Sequence, residues 1–280
     1  MSRKRRIGNT FAYIGLILIS IVWLFPFVGL VLQSFRGESG GMVNYLVPKQ
    51  FSTVNYEFLF GDGSKFLRWY GNTLTIAIFV SVLQTLVVIC VSYALSRMPF
   101  RGRKALMNIW LVLGMFPGFL TMITLYFLLK QLGMTGSGAV PGLILIYVAS
   151  SGMGYYISKG FFDTIPKSLD ESARIDGATR FQVFLKIIMP LAKPIVIYTV
   201  LMAFMAPWGD YVFASYVAFG HQDGYNVAVG LYNWVNTNDF QNYFTRFCAG
   251  GVLVAVPITA LFLALQKYYV EGVTGGAVKG

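Results

Sequence analysis

Long apolar stretches alternate with shorter polar segments along the 280 residues of the chain. Six of the apolar stretches have the composition of a membrane span, at about 11–33, 71–96, 105–129, 139–158, 194–217 and 246–268. About 20 apolar residues in a helix suffice to cross the roughly 30 Å hydrocarbon core of a bilayer. The pattern therefore predicts an all-α membrane protein in which six transmembrane helices form a single domain over residues 1–280.

The first apolar run follows a basic cluster, as the core of a signal peptide does. It extends from about Phe11 to Leu32, which is longer than such a core, and it has no clear small-residue cleavage site. We therefore expect an uncleaved first span.

Basic residues are distributed unevenly between the two sets of loops that six spans create. Sixteen of the 22 Lys and Arg residues fall on the side of the two termini, whereas the acidic residues divide almost equally. Short loops rich in Lys and Arg stay in the cytoplasm, so we predict cytoplasmic termini in a bacterial-type inner membrane. The net charge of +11 then follows from topology, and we expect no nucleic-acid partner.

Composition excludes several other classes of protein. Hydrophobic residues make up 56% of the chain and charged residues 12%, against about 25% charged residues in a typical soluble domain. No segment has the phosphate-binding pattern G-x-x-x-x-G-K-[ST]. Cys90 and Cys248 lie in apolar stretches and His221 is the sole histidine, so neither a metal site nor a nucleophile–base pair is indicated. We predict a protein that is not an enzyme and holds no metal or cofactor itself.

Strongly polar residues inside the predicted spans are few. Asp210 lies near the outer end of the fifth span, and a carboxylate at membrane depth usually faces a bundle interior or water. Three interpretations are open: Asp210 is an interfacial residue, it caps a helix broken near Pro207, or it lines a translocation pathway. Gln84, in the second span, is interpreted as an interhelical hydrogen-bond partner rather than a substrate ligand.

The polar stretch 166–190 interrupts the second half of the chain with signals for two short helices. Ser168 with Glu171, and Thr179 with Gln182, have the spacing of capping boxes. Such boxes satisfy free backbone amides where a helix begins. The stretch is therefore predicted to form a compact helix–turn–helix.

A glycine and a proline mark the ends of these two helices. Gly177 lies between them, where a helix commonly ends on a residue that tolerates positive φ. Pro190 is predicted to end the second helix, in which Phe181, Phe184 and Ile188 share one face. An ordinary polar loop between two spans would also carry good caps.

The same stretch resembles the EAA loop of importer-type ABC transporter permeases. The residues that carry the resemblance are Glu171, Ser172, Ala173, Asp176, Gly177, Ala178, Ile187 and Pro190. Ser172 and Met189 depart from the family pattern, which has Ala and Leu at those positions. The resemblance implies an importer-type ABC permease fold whose cytoplasmic coupling loop, the name used below for 166–190, docks into a cleft on an ATPase subunit. ATP and Mg²⁺ would then be bound by that partner.

Further segments resemble the smaller, MalG-type permease of maltose and maltodextrin importers. They are Met115–Gly118, Val227–Leu231, Val256–Thr259 and Gly272–Gly280, so the resemblance extends over nearly the whole chain. It implies import of maltodextrin-like oligosaccharides by a heterodimer with a larger permease, two ATP-binding subunits and an extracytoplasmic sugar-binding protein. The sugar site in the membrane would lie largely on the larger permease. A permease for another sugar or small solute, and an independent secondary carrier, are the alternatives.

The resemblance also implies contacts for two further segments. The outer segment 224–239 would enter the sugar-binding protein, with candidate residues Gly224, Tyr225, Val229, Gly230, Tyr232 and Trp234. Aromatic residues also gather at membrane interfaces without binding sugar, so both interpretations are open. The C-terminal tail would lie between the ATPase subunits through Gly275, Gly276 and Lys279, although a flexible end is the default for such a glycine-rich segment.

Overall fold

The computed structural model describes residues 3–38, 45–115, 118–237 and 240–277. Within these ranges the chain is almost entirely helical, and the one strand-like pairing is an isolated antiparallel bridge between Arg36 and Phe51. The α-helices are α1 (Arg3–Ser34), α2 (Val54–Phe60), α3 (Phe66–Arg97), α4 (Arg103–Gly114), α5 (Gly118–Gln131), α6 (Ala139–Ala149), α7 (Gly152–Thr164), α8 (Ser168–Ile175), α9 (Arg180–Val183), α10 (Met189–Leu191), α11 (Lys193–Gly209), α12 (Val212–Ala218), α13 (Val227–Val235) and α14 (Phe240–Ala277). A π-helical segment, Phe184–Ile188, joins α9 to α10. The prediction of an all-α protein is confirmed.

Three helices are individually long and apolar enough to cross a membrane. They are Asn9–Ser34 within α1, the whole of α3, and Phe240–Tyr268 within α14. Two bent helix pairs are further candidates: Leu120–Gln131 with Gly136–Ala149, bent by 104°, and Arg180–Leu191 with Lys193–Gly209, bent by 78°. Counted in this way, the described part of the chain has up to five spans, so the predicted number of six is not confirmed.

The third, fourth and fifth spans predicted from the sequence are each interrupted. The stretch 105–129 is divided between α4 and α5, the stretch 139–158 is broken at Ser150–Ser151, and the stretch 194–217 is broken at Asp210–Tyr211. Apolar composition over a whole stretch does not reveal a single non-helical turn, because the flanking residues keep the average hydropathy high. The breaks matter because exposed backbone groups need partners at membrane depth.

At the break between α11 and α12, a buried asparagine supplies such partners. Asn226 is 1% exposed, and its Nδ2 donates to the carbonyl oxygens of Pro207 at 3.1 Å and Asp210 at 2.7 Å. Its Oδ1 accepts from the amide of Val229 at 2.9 Å, near the start of α13. The Asn226 side chain therefore provides hydrogen bonds to the backbone groups exposed at the break and also orients the start of α13.

Two compact units divide the chain, one comprising Met1–Leu67 with Gly230–Val256 and the other Arg68–Val229 with Pro257–Gly280. In the first, the amide of buried Asn55 donates to the carbonyl oxygens of Ser34 and Arg36 and accepts from Thr245. In the second, an apolar core joins α3, α7, α11 and the coupling loop. Its buried members are Ile89, Tyr93, Phe162, Ile165, Ala173, Val183, Ile188, Ala192 and Ile195.

The last helix continues beyond the predicted sixth span of about 246–268, because α14 extends to Ala277. Glycine costs about 1 kcal/mol relative to alanine in a helix, yet adding residues to an existing helix avoids the cost of nucleation. The described part of the tail is therefore helical.

Candidate functional site

The coupling loop forms two helical arms joined at a glycine, as its sequence predicts. Gly177 has φ +86°. Its amide donates to the carbonyl of Arg174 at 3.0 Å, and the amide of Ala178 donates to Ala173 at 2.9 Å. This pair of bonds is a Schellman motif, which closes a helix on a left-handed residue. Gly177 therefore ends α8 and sets the direction in which α9 begins.

Of the two predicted capping boxes, one is confirmed and one is wrong. Oγ1 of Thr179 accepts from the amide of Gln182 at 3.3 Å, while Oε1 of Gln182 accepts from the amide of Thr179 at 2.8 Å. Ser168 makes no such bond, because α8 is capped at Lys167 with no side-chain cap. Lys167 already has α-helical dihedral angles and its carbonyl accepts from the amide of Glu171. Ser168 is therefore inside the helix rather than at its cap.

The second arm contains a wide turn just before its proline. The amide of Met189 donates to the carbonyl of Phe184, which closes the π segment Phe184–Ile188. The arm then runs through Pro190 to Leu191, so Pro190 lies inside it and is not its end. A π turn holds one extra residue and is a common way to accommodate a helix that cannot keep its regular bonding.

The inner side of the coupling loop packs into the core of its unit. Ala173, Val183 and Ile188 are 9%, 1% and 0% exposed, and the half-buried Ala178 and Ile187 pack against the same core. Of the residues that resemble the EAA motif, Ala173, Ala178 and Ile187 therefore have a packing role. They hold the loop against α3, α7 and α11.

The outer side exposes a carboxylate and large apolar side chains. Glu171 is exposed, whereas Ile175 is 86% and Phe181 is 68% exposed. Ser172, Asp176, Gly177 and Pro190 are exposed as well. The prediction that Phe181 shares a face with the buried Ile188 is wrong, because the intervening π turn changes the angular spacing of the residues.

Arg97, in the last turn of α3, ties three elements together. Its Nη2 donates to the carbonyl oxygens of Phe162 at 3.1 Å and Ile165 at 2.7 Å, at the end of α7. Its Nε lies 3.3 Å from Oδ2 of Asp170, in the first turn of α8. The two side chains are only 3% and 11% exposed. Removing one partner of a buried pair leaves an uncompensated charge, so this contact fixes α8 against the ends of α3 and α7.

A second carboxylate joins α7 to α3 beside this pair, beyond the predicted fourth span. Asp163 accepts a hydrogen bond from Oγ of Ser96 at 2.6 Å and another from Lys159. Partial burial raises the pKa of Asp163, but the bonds from Lys159 and Ser96 and the charges of Lys159 and Arg97 outweigh it, so the pKa lies below its ordinary value. Asp163 is therefore ionised at neutral pH.

Sequence reasoning missed the contact between Arg97 and Asp170. The sequence places Arg97 in a basic turn with Arg101, Arg103 and Lys104, and this pattern does not indicate a buried carboxylate as its partner. Asp170 lies three residues before the buried Ala173, so it shares the inner face of α8. A carboxylate on a buried face indicates a buried cationic partner. The local sequence does not identify that partner, because it lies far away along the chain.

The residues proposed for the outer segment 224–239 differ in exposure. Gly224, Tyr225, Val229 and Gly230 are buried, and the ring of Tyr225 packs beside Trp69 with a centroid distance of 6.2 Å. Trp234 is half-buried and stacks on Phe66 and Tyr243. Tyr232 is 40% exposed. Asn238 and Asp239 lie outside the described residues. Among the three aromatic candidates, Tyr232 alone is exposed.

Asp210 has the geometry of the capping interpretation. Its Oδ1 accepts from the amide of Phe213 at 3.0 Å, at the start of α12, and its Oδ2 accepts from the hydroxyl of Tyr147. Both carboxylate oxygens therefore have partners within the chain.

Gly275 and Gly276 lie in α14, whereas Lys279 is outside the described residues. In the described part of the chain, no group of three or more His, Cys, Asp or Glu residues could hold a metal ion.

Known proteins resemble the chain over its whole length. Residues 87–274 match the family model described as "Binding-protein-dependent transport system inner membrane component". The "Galactooligosaccharides transport system permease protein GanQ" of Bacillus subtilis (strain 168) is 35% identical over 100% of this chain and 99% of that protein. The "Maltodextrin transport system permease protein MdxG" of the same organism is also 35% identical, with the same coverage.

A solved structure shares the fold. One chain of a bacterial ABC transporter "involved in the import of the acidic polysaccharide alginate" has a TM-score of 0.76, with 96% of this chain and 99% of that chain covered. At 23% sequence identity this likeness establishes the fold alone. Together with the two relatives and the family match, it confirms the importer-permease fold. The chain therefore belongs to the family of binding-protein-dependent transport system inner membrane components.

Proposed function

We propose that the chain is the permease subunit of an ATP-driven importer for neutral oligosaccharides of the maltodextrin or galactooligosaccharide type. One observation carries the substrate class: two relatives named for these sugars match the chain from end to end at 35% identity. As a membrane component of a transport system, the chain is not itself an ATPase. Its partners are a second, larger permease, two ATP-binding subunits and an extracytoplasmic sugar-binding protein.

The coupling loop is the part of the chain that would receive force from the ATPase. Its exposed side combines the Glu171 carboxylate with the apolar side chains of Ile175 and Phe181. Buried apolar area supplies affinity, and a charge at the rim supplies orientation. The inner side is packed into the core and anchored through Arg97, so a movement of the docked loop passes to α3, α7 and α11. Alternating access then follows from rigid-body movement of these helices.

The remaining contacts belong to the same proposal. The termini lie in the cytoplasm, where Gly275, Gly276 and Lys279 contact the ATPase subunits. The exposed Tyr232 is the aromatic residue of the outer segment that is best suited to meet the binding protein or its sugar. Tyr225 acts in packing, because its ring is buried beside Trp69.

Reconstitution of the complex tests the substrate class. The chain is purified with its bound subunits in mild detergent and placed in vesicles together with the binding protein. ATP hydrolysis and uptake are measured with maltotriose, a galactotriose, a trisaccharide of uronic acids and a set of amino acids. We expect both activities with the neutral trisaccharides. Activity with amino acids or the acidic sugar instead would overturn the proposal, and uptake by the purified chain alone would indicate a secondary carrier.

A further inference from the structure

A cavity of about 230 Å³ lies where the predicted fourth span is broken. Its walls come from α3, from α7 and from α11, and the broken turn Ser150–Ser151 lies at its edge. Pockets for drug-sized ligands measure roughly 300–1,000 Å³. This cavity therefore has room for one sugar ring and not for a whole oligosaccharide.

Three hydroxyl groups of the cavity lining lack a partner within the chain. They belong to Ser150, Ser158 and Tyr198, for which the described residues provide no side-chain hydrogen bond. Ser158 is 1% exposed. A hydroxyl group both donates and accepts hydrogen bonds, so these three groups are available to a polar ligand or to water in the cavity.

The polar edge of the cavity is held in place by a hydrogen-bonded pair. Nε2 of Gln84 donates to Oγ of Ser151 at 3.0 Å, and that hydroxyl donates to the carbonyl of Val148 at 2.8 Å. Gln84 thus makes the interhelical bond that its sequence position predicts. The broken turn is stabilised without closing the cavity, and Ser150 beside it is exposed.

None of the described residues that line the cavity is charged. Met153 and Met202 provide apolar surface beside the hydroxyl groups. Neutral sugars combine hydroxyl groups with apolar ring faces, and both kinds of surface are available here. An acidic sugar would bring a carboxylate into an apolar site with no cation to pair with it, which is costly.

We propose that this cavity is a subsite for one ring of a neutral oligosaccharide on its way across the membrane. Ser150 and Ser158 hydrogen-bond the ring, Tyr198 adds a third hydroxyl, and Gln84 positions the broken turn. The subsite rests on the proposed function and extends it, since it assigns substrate contacts to this subunit in addition to those on the larger permease.

Thiol protection in the reconstituted complex tests the subsite. Ser150→Cys is introduced with Cys90→Ser and Cys248→Ala, and its reaction with methyl methanethiosulfonate is followed by peptide mass. We expect maltotriose at ten times its dissociation constant to slow the reaction about tenfold, by mass action. A uronic-acid trisaccharide should have no effect. The matched control is Ser215→Cys on α12, which lies outside the cavity lining and should show no protection by either sugar.

The outcomes separate the subsite from the proposed function. If the complex imports maltotriose but the thiol at position 150 is not protected, the subsite is wrong and the importer stands. If that thiol is unreactive with and without sugar, another subunit fills the cavity and the subsite is again wrong. If no neutral oligosaccharide is imported at all, the proposed function fails first.

Two substitutions at Ser158 add a readout that a folding defect would not reproduce. Ser158→Leu fills the cavity, and we expect maltotriose import to fall about tenfold while ATP hydrolysis stimulated by the sugar-loaded binding protein stays within about twofold. Ser158→Ala removes only the hydroxyl, so about 1 kcal/mol, or roughly fivefold, is expected. Equal loss of import and stimulated hydrolysis in Ser158→Leu, or unchanged import in both variants, would contradict the subsite.

Discussion

At Gly177 the backbone has φ +86°, yet a Cβ added there would meet no other heavy atom within 4 Å. The requirement for glycine is therefore conformational and not a matter of space. Left-handed backbone costs an L-residue about 1–2 kcal/mol, and asparagine tolerates it better than branched residues do. The two arms of the coupling loop depend on this one residue for their relative direction.

Gly177→Val and Gly177→Asn test this requirement as a matched pair. Valine is expected to leave the protein inserted in the membrane but to reduce sugar import strongly, because the turn between α8 and α9 changes. Asparagine should retain most of the import. Sugar uptake and sugar-stimulated ATP hydrolysis, measured together in vesicles, check the result. Equal import by the two variants would show that the left-handed turn does not matter for coupling.

Among the helical elements, α8 is anchored by an ion pair distant in sequence, whereas α9 is capped by contacts within its own first turn. The capping box of Thr179 and Gln182 is local, so sequence alone predicted it. The anchor of α8 joins Asp170 to Arg97 and could not be predicted, because neither residue's neighbours identify the other. The helix breaks could not be predicted for a related reason. The side chains that bond the backbone at a break lie elsewhere in the chain, as Asn226 does for the carbonyl of Pro207.

Substitutions at Arg97 should separate its charge from its hydrogen-bonding geometry. Arg97→Lys keeps the charge but loses the planar fork that reaches both Asp170 and the end of α7. We therefore expect sugar import to fall more than the amount of folded protein in the membrane does. Asp170→Asn removes the carboxylate that pairs with the buried Arg97, and breaking such a pair costs about 3–5 kcal/mol. Thermal unfolding in detergent and sugar import give the two readouts.

Exchange of the two charges is the sharper control for this anchor. Arg97→Asp with Asp170→Arg restores opposite charges but provides no donor to the carbonyl oxygens of Phe162 and Ile165. We expect no rescue of import. Full rescue would mean that the ion pair alone positions α8. The exposed Arg101, substituted by Gln, should behave like the unmodified protein because it lies outside these contacts.

Across the whole molecule, charge asymmetry and motif position agree on one orientation in the membrane. Sixteen of 22 basic residues, together with the coupling loop, fall on the side of the termini in the six-span prediction. Hydropathy identifies the apolar stretches of the chain. It does not fix the number of spans, because helix breaks divide several of these stretches. The sidedness of the coupling loop is therefore the more direct test of topology.

Cysteines in exposed segments measure this sidedness in intact cells. Ser172→Cys on the coupling loop should react with a membrane-impermeant thiol reagent only after the membrane is opened. Asp62→Cys, in the exposed turn after α2, should react without opening because that loop is predicted to face outward. The native cysteines are first replaced by serine at Cys90 and alanine at Cys248. Reaction of Ser172→Cys in sealed cells would rule out docking to a cytoplasmic ATPase.

The wide turn at Phe184–Ile188 has a geometric consequence for the arm that carries Phe181. A residue in an α-helix advances about 1.5 Å along the axis and about 100° around it. A π turn holds about one residue more than an α-turn, so deleting one residue from this segment would restore regular α-helical bonding and leave the direction of Phe181 relative to Pro190 nearly unchanged. The same deletion in a regular α-helical turn would rotate the side chain by about 100°. The surplus residue therefore allows the arm to change its length here without redirecting the exposed phenylalanine.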